Sequence, residues 1–158
     1  MKNLLGIDID GVFNIMSYDD VEGDINKTPV VYLNKIIEVV PNCDILITSS
    51  WGNKNNKTTK ALVNAGFKYP EKIVGVTGCC NGEYSRSKEI SEWLNNFSKS
   101  EYYKNYVYID DEIELFDYSS KNASRYNVVQ CRADRGLDLE KSYETICRLQ
   151  GISLKFWC

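Results

Sequence analysis

Short apolar runs alternate along the chain with segments in which apolar residues recur every three or four positions. Leu4 to Ile9 is a brief apolar run that ends in acid, and Val30 to Val40 has amphipathic helical spacing, opened by Thr28-Pro29 and closed before Pro41. Asp44 to Thr48 reads as a second strand. Thr58 to Ala65 carries a helical pattern stopped by Gly66, Lys72 to Val76 a third strand, and Arg86 to Phe97 a helix with Ile90, Trp93, Leu94 and Phe97 on one face. Tyr106 to Ile109 forms a fourth strand, Val128-Val129 the centre of a fifth, and Leu139 to Leu149 a last helix before Gly151. This rhythm predicts a three-layer, Rossmann-like α/β fold: a parallel sheet of about five strands with helices on both faces. Ligands of such sheets sit beyond the carboxyl ends of the strands. With no internal repeat, low-complexity run or long linker, residues 1–158 are read as one domain.

The strand ends carry the residues with chemistry. The first strand ends in Asp8-Ile9-Asp10-Gly11-Val12, which sends two carboxylates toward the crevice. Crowded carboxylates are hard oxygen ligands suited to Mg²⁺, although a DxDG sequence also serves as an ordinary acidic turn. The second strand ends in Ile47-Thr48-Ser49-Ser50-Trp51, a run of hydroxyls able to donate hydrogen bonds to phosphate oxygens. The fourth ends in Tyr108-Ile109-Asp110-Asp111-Glu112, a second acid pair at the same edge. Arg86 and Lys88 lie in the first turn of their helix, where a cation opposes the helix dipole and needs another reason to be there.

Composition narrows the chemistry. The 158 residues contain no histidine, which excludes Ser-His-Asp and Cys-His hydrolases, histidine-relay nucleases and histidine-bound catalytic metals. The six cysteines form no CxxC pair and are read as reduced and mostly buried; adjacent Cys79-Cys80 stand out. A net charge of −3 with 26% charged residues marks no polybasic coat, so any polyanion is held locally. No run approaches a membrane span, and the N-terminus passes straight into Leu4-Leu5-Gly6-Ile7-Asp8 without a targeting segment, so a cytoplasmic protein is expected.

Taken in order, DxDGV, a hydroxyl-ended strand, a basic residue on a helix and a DD-ended strand resemble the four motifs of the haloacid dehalogenase (HAD) superfamily. The resemblance runs from Leu4 to about Leu149 and is closest to small capless members with the pattern DxDGVxN, SSW, RxxEIxxWL and DD. It implies that Asp8 is a nucleophile forming an aspartyl-phosphate, and that Asp10 protonates the leaving oxygen and then activates water. It implies a Mg²⁺ site from Asp110 and Asp111 with Asp8 and the Asp10 backbone carbonyl. Either Thr48, by counting from the strand, or Ser49, by anchoring on Trp51, orients the phosphoryl group. Arg86 matches the arginine of the close relatives, while Lys88 fits the lysine or arginine used more widely. Gly11, Val12, Asn14, Ser50 and Trp51 fall on the substrate side of the pattern.

The resemblance thus implies a Mg²⁺-dependent phosphomonoesterase. The gaps after the first and second motifs are short: Phe13 to Pro29 has room only for a flap, and a helix and strand use most of Gly52 to Ser85, so no large cap is expected. An open site admits either a small phosphate ester or a polynucleotide end, and the capless relatives resemble modules of RNA-repair proteins. The loop Trp51-Gly52-Asn53-Lys54-Asn55-Asn56-Lys57 offers an aromatic and two lysines, although an ordinary solvated loop reads the same way. A non-catalytic metal- or phosphate-binding module and a Mg²⁺-dependent nuclease using the same carboxylates stay open. No membrane partner and no obligate protein partner are indicated, and an oligomer stays open. Asp134-Arg135-Gly136-Leu137-Asp138 is read as a capping turn without chemistry, and the apolar tail from Ile152 to Cys158 as cover for a sheet edge or a neighbouring subunit.

Overall fold

The computed structural model describes residues 1–15, 24–96 and 101–152. Phe97, the central part of the Phe13–Pro29 segment and the tail beyond Ile152 lie outside the described residues. Five parallel strands form one sheet in the order β3-β2-β1-β4-β5: β1 Lys2–Ile7, β2 Cys43–Ile47, β3 Ile73–Val76, β4 Tyr103–Asp110 and β5 Val128–Gln130. The helices are α1 Lys27–Val39, α2 Lys57–Asn64, α3 Ser85–Asn96 and α4 Leu139–Leu149. β1 is central and covered on both faces, which is why it reads as an unbroken apolar run rather than an alternating one.

The two faces of the sheet have separate cores. Leu5, Ile7, Ile45, Ile47, Val107 and Ile109 pack with Val30, Leu33 and Ile36 of α1, Leu62 of α2 and Leu149 of α4. On the other face Leu4, Leu46 and Tyr108 pack with Ile90, Trp93 and Leu94 of α3 and with Phe116. Each buried aliphatic side chain contributes about 1.5–3 kcal/mol to holding these layers together. Because side chains alternate along a strand, Asp8, two residues after Gly6, and Asp110, two after Tyr108, fall on the face covered by α3. α3 is therefore the helix that can bring a cation to them.

Three elements differ from the sequence expectation by two residues or more at one end, while β2, α2, β3 and α3 are displaced by a single residue. The β1 ladder stops at Ile7 because the Ile9 carbonyl accepts from the amides of Val12, Phe13 and Asn14 (3.2, 2.8 and 2.9 Å), which turns the chain out of the sheet. α1 begins at Lys27 rather than Val30, with Pro29 in its first turn, where a missing N–H costs no helical bond. β4 begins at Tyr103 rather than Tyr106. Its polar Asn105 donates through Nδ2 to Asn3 Oδ1 (3.1 Å) and to the Leu149 carbonyl (2.8 Å), so a polar residue fits inside the strand. No helix among the described residues is long and apolar enough to cross a membrane. Cys43, Cys79, Cys80, Cys131 and Cys147 are free thiols.

Candidate active site

The carboxyl ends of β1 and β4 place Asp8, Asp110 and Asp111 together, with a carboxylate oxygen of each within 4.8 Å of the others. Asp8 and Asp110 are buried. Burial raises the Asp8 carboxyl above the ordinary aspartate range; the Arg86 charge, the Ile9 amide and the Ser49 hydroxyl pull the other way. Burial, then the charge of Asp8, raises Asp110 likewise, and burial raises Asp111. Removing so many acids from water is costly unless positive charge compensates them.

One guanidinium supplies part of that charge. Arg86, buried in the first turn of α3, donates from Nε to Asp110 Oδ2 (3.1 Å), from Nη2 to Asp8 Oδ1 (3.4 Å) and from Nη1 to Glu89 Oε2 (3.2 Å). Burial opposes its charge, but Asp110, Asp8 and Glu89 outweigh that and hold it protonated. Lys88 is exposed and has no part in this group. Of the two bases that the sequence left open, the structure brings Arg86 to the acids and leaves Lys88 outside. Glu89, one helical turn on, also accepts from the Thr77 hydroxyl (3.3 Å) and the Cys80 amide (2.9 Å), so it ties the arginine to the end of β3. Sequence reasoning gave Glu89 and Thr77 no role; the only trace was the RxxE spacing, which puts both side chains on one helix face.

At the end of β2 the neighbouring hydroxyls separate. The Ser49 hydroxyl is near enough to lower the Asp8 pKa, and it accepts from the Trp51 amide (3.3 Å). Thr48 is buried, and its Oγ1 has no hydrogen-bond partner, a cost of about 1–3 kcal/mol for a sequestered hydroxyl. Ser50 is exposed, whereas Trp51 is half-buried and its indole Nε1 donates to Asp10 Oδ2 (2.9 Å). Asn14 Nδ2 donates to Asp10 Oδ1 (3.1 Å), so both oxygens of Asp10 are held by N–H groups. Val12 does not face a substrate: its side chain is fully buried in the core, and its contribution is through its backbone.

Two glycines let the loops close on one another. Gly11 has φ +71°, and a Cβ there would run into the Asp111 carboxylate, so the DxDG turn needs glycine both for its backbone and for the close approach of the second acid pair. Gly136, at φ +64°, lies against the Val12 carbonyl, which accepts from the Leu137 amide (2.9 Å). The Asp134–Asp138 turn therefore does more than cap α4, although Asp138 does that too by accepting from the Lys141 amide (2.9 Å). It braces the turn that carries Asp10 and Gly11.

A capless parallel sheet with acid pairs at the ends of β1 and β4 and a bridging arginine on α3 is the architecture of a HAD-like domain. The family described as the HAD domain in Swiss Army Knife RNA repair proteins matches residues 4–142, and the chain belongs to that family. Its superfamily is one of phosphatases and related hydrolases, so a phosphoryl-hydrolase type of activity follows at that level. No curated protein and no solved structure matches the chain.

Proposed function

We propose that the protein is a Mg²⁺-dependent phosphomonoesterase that works through an aspartyl-phosphate on Asp8 and removes a terminal phosphate from a polynucleotide. The observation that carries this reading is the buried Asp8 carboxylate, held between Arg86 and Ser49 with Asp10 two residues away. The donor set fits magnesium: Asp8, Asp110 and Asp111 present hard carboxylate oxygens within one small volume, with no thiolate or imidazole among them. When bound there, the ion supplies charge neutralisation for the phosphate oxygens and for the crowded acids.

The chain's own residues account for the rest. Asp8 attacks phosphorus in line, forming the acyl-phosphate bond as the ester P–O bond breaks. Asp10 gives its proton to the leaving oxygen, then takes one from the water that attacks the aspartyl-phosphate, releasing inorganic phosphate and restoring Asp8. Arg86 and the Ser49 hydroxyl donate to the phosphoryl oxygens and hold them while charge redistributes. Trp51 and Asn14 position the Asp10 carboxyl for both proton transfers. The free cysteines fit a cytoplasmic setting. The description of the family's proteins as RNA-repair proteins favours a polynucleotide end over a small ester.

The test is phosphate release from p-nitrophenyl phosphate and from 3′- and 5′-phosphorylated oligonucleotides, with Mg²⁺ or EDTA. Release that needs the metal and falls by more than about 10⁴-fold in Asp8→Asn is the expected result. Cleavage that survives Asp8→Asn would point to a nuclease that activates water directly. No release from any ester by folded, magnesium-loaded protein would leave a binding module.

A further inference from the structure

Between Asp44 and Glu71 the chain has no acidic residue, yet it carries Lys54, Lys57, Lys60 and Lys68. Lys68 approaches Glu38 at 3.7 Å. Lys54, Lys57 and Lys60 are exposed, and no carboxylate among the described residues lies within ion-pair distance of them. Lys54 lies in the short 3₁₀ turn Lys54–Asn56, and Lys57 and Lys60 lie at the start of α2. Together they line an open cleft of about 570 Å³. Lys60 also lines a cleft of about 580 Å³, whose walls are Asn53, Asn56 and Thr59 on one side and the half-buried edge strand β3 on the other.

Both walls of this second cleft lead to the acid cluster. On one, the loop is fixed by Asn53, whose side chain bonds the Thr59 hydroxyl (2.9 Å) and amide (3.1 Å), and by Thr58 donating to the Gly52 carbonyl (2.6 Å). That loop begins at Trp51, which holds Asp10. On the other, β3 ends at Val76, and the next residue, Thr77, donates to the Glu89 that anchors Arg86. A chain lying along the cleft thus has one end at the same carboxyl edge of the sheet as Asp8.

We infer that Lys54, Lys57 and Lys60 form a phosphate-backbone track for a single-stranded polynucleotide whose terminal phosphate enters the Asp8 site. The inference rests on the phosphatase reading above and deepens it by assigning a surface to the rest of the substrate. An unpaired lysine row on a chain of net charge −3 is complementary to a row of phosphates. The half-buried Trp51 and the apolar residues of β3 give bases a surface that does not depend on sequence.

The experiment measures binding of fluorescent 3′- and 5′-phosphorylated oligonucleotides, about ten nucleotides long, to Asp8→Asn protein over a range of KCl, with and without K54Q/K57Q/K60Q. The triple substitution is expected to weaken binding about ten-fold at low salt and to reduce the slope of log affinity against log salt by about 2, close to three phosphate contacts. In protein with Asp8 intact, the same substitutions leave p-nitrophenyl phosphate turnover unchanged, which also shows that the fold is kept. Should the triple variant misfold, Lys57→Gln alone is expected to lower the slope by about 0.7. Unchanged affinity and slope would overturn the track, as would equally tight lysine-dependent binding of an acidic phosphopeptide. Lysine-dependent oligonucleotide binding without phosphate release from any ester would keep the track and reject the phosphatase reading instead.

Discussion

Buried carboxylates stand at both ends of the sheet, and their surroundings differ in kind. At the amino end, Asp44 accepts from Lys2 Nζ (2.8 and 3.2 Å) and from the Tyr103 hydroxyl (3.1 Å), so one acid meets one ammonium and one phenol. At the carboxyl end, Asp8, Asp110 and Glu89 share the single guanidinium of Arg86, and Asp111 joins the two aspartates within 4.8 Å. A balanced pair is what a structural acid requires. An excess of negative charge, held at the expense of raised carboxyl pKa values, is what a site for a cation and a phosphate requires.

The comparison breaks most sharply at Asp110. Asp110→Asn should lower Mg²⁺-dependent turnover by about 100-fold or more while making the metal-free protein more stable, because it leaves the single Arg86 guanidinium one acid fewer to compensate. The sign with pH follows from the raised carboxyls. An acid whose folded pKa lies above its unfolded one leaves stability intact below about pH 4 and reduces it as pH rises through the folded value. Thermal melts of metal-free wild type should therefore fall from mildly acidic to neutral pH. Melts of Asp110→Asn should be flatter and should respond less to Mg²⁺; equal Mg²⁺ responses would count against the metal site.

At the other end of the sheet, Asp44→Ala should cost about 2 kcal/mol in denaturant unfolding, chiefly by leaving the buried Tyr103 hydroxyl unpaired, since Lys2 is half-exposed. Its turnover per folded molecule should match wild type, and a large loss would mean that the two ends are coupled. The smallest effect is expected at Trp51. Trp51→Phe keeps the ring but removes the N–H to Asp10, and should lower turnover about ten-fold with little change in stability. A shifted pH–rate profile would distinguish this positioning role from simple packing.

Much of this was readable from sequence because of where the strands sit. β1 and β2 are buried on both faces and print themselves as apolar runs, and the acids that follow β1 and β4 mark the point where the chain leaves the sheet. The start of β4 was hidden because Lys104 and Asn105 break the apolar run, although Asn105 finds partners across the fold. The choice between Thr48 and Ser49, or between Arg86 and Lys88, was not legible. Arg86 and Lys88, two apart on a helix, point to different sides, and the packing of α3 on the Asp8 face brings only Arg86 to the acids. Thr48 and Ser49 are adjacent at a strand end, where apolar patterning says nothing about which hydroxyl is used. Glu89 and Gly136 were hidden for a related reason: each acts on a segment remote in sequence, Thr77 and Cys80 in one case and Val12 in the other.

The brace between Leu137 and Val12 also bears on how the protein is made. Asp8 and Asp10 leave the ribosome before Asp110 and Asp111, and the turn that steadies the first pair follows later still. A nascent chain halted before Gly136 would contain both acid pairs without the support beneath Gly11. The Asp10 turn is therefore fully braced only once Gly136 and Leu137 have emerged, and products interrupted before them should hold their acid pairs less rigidly.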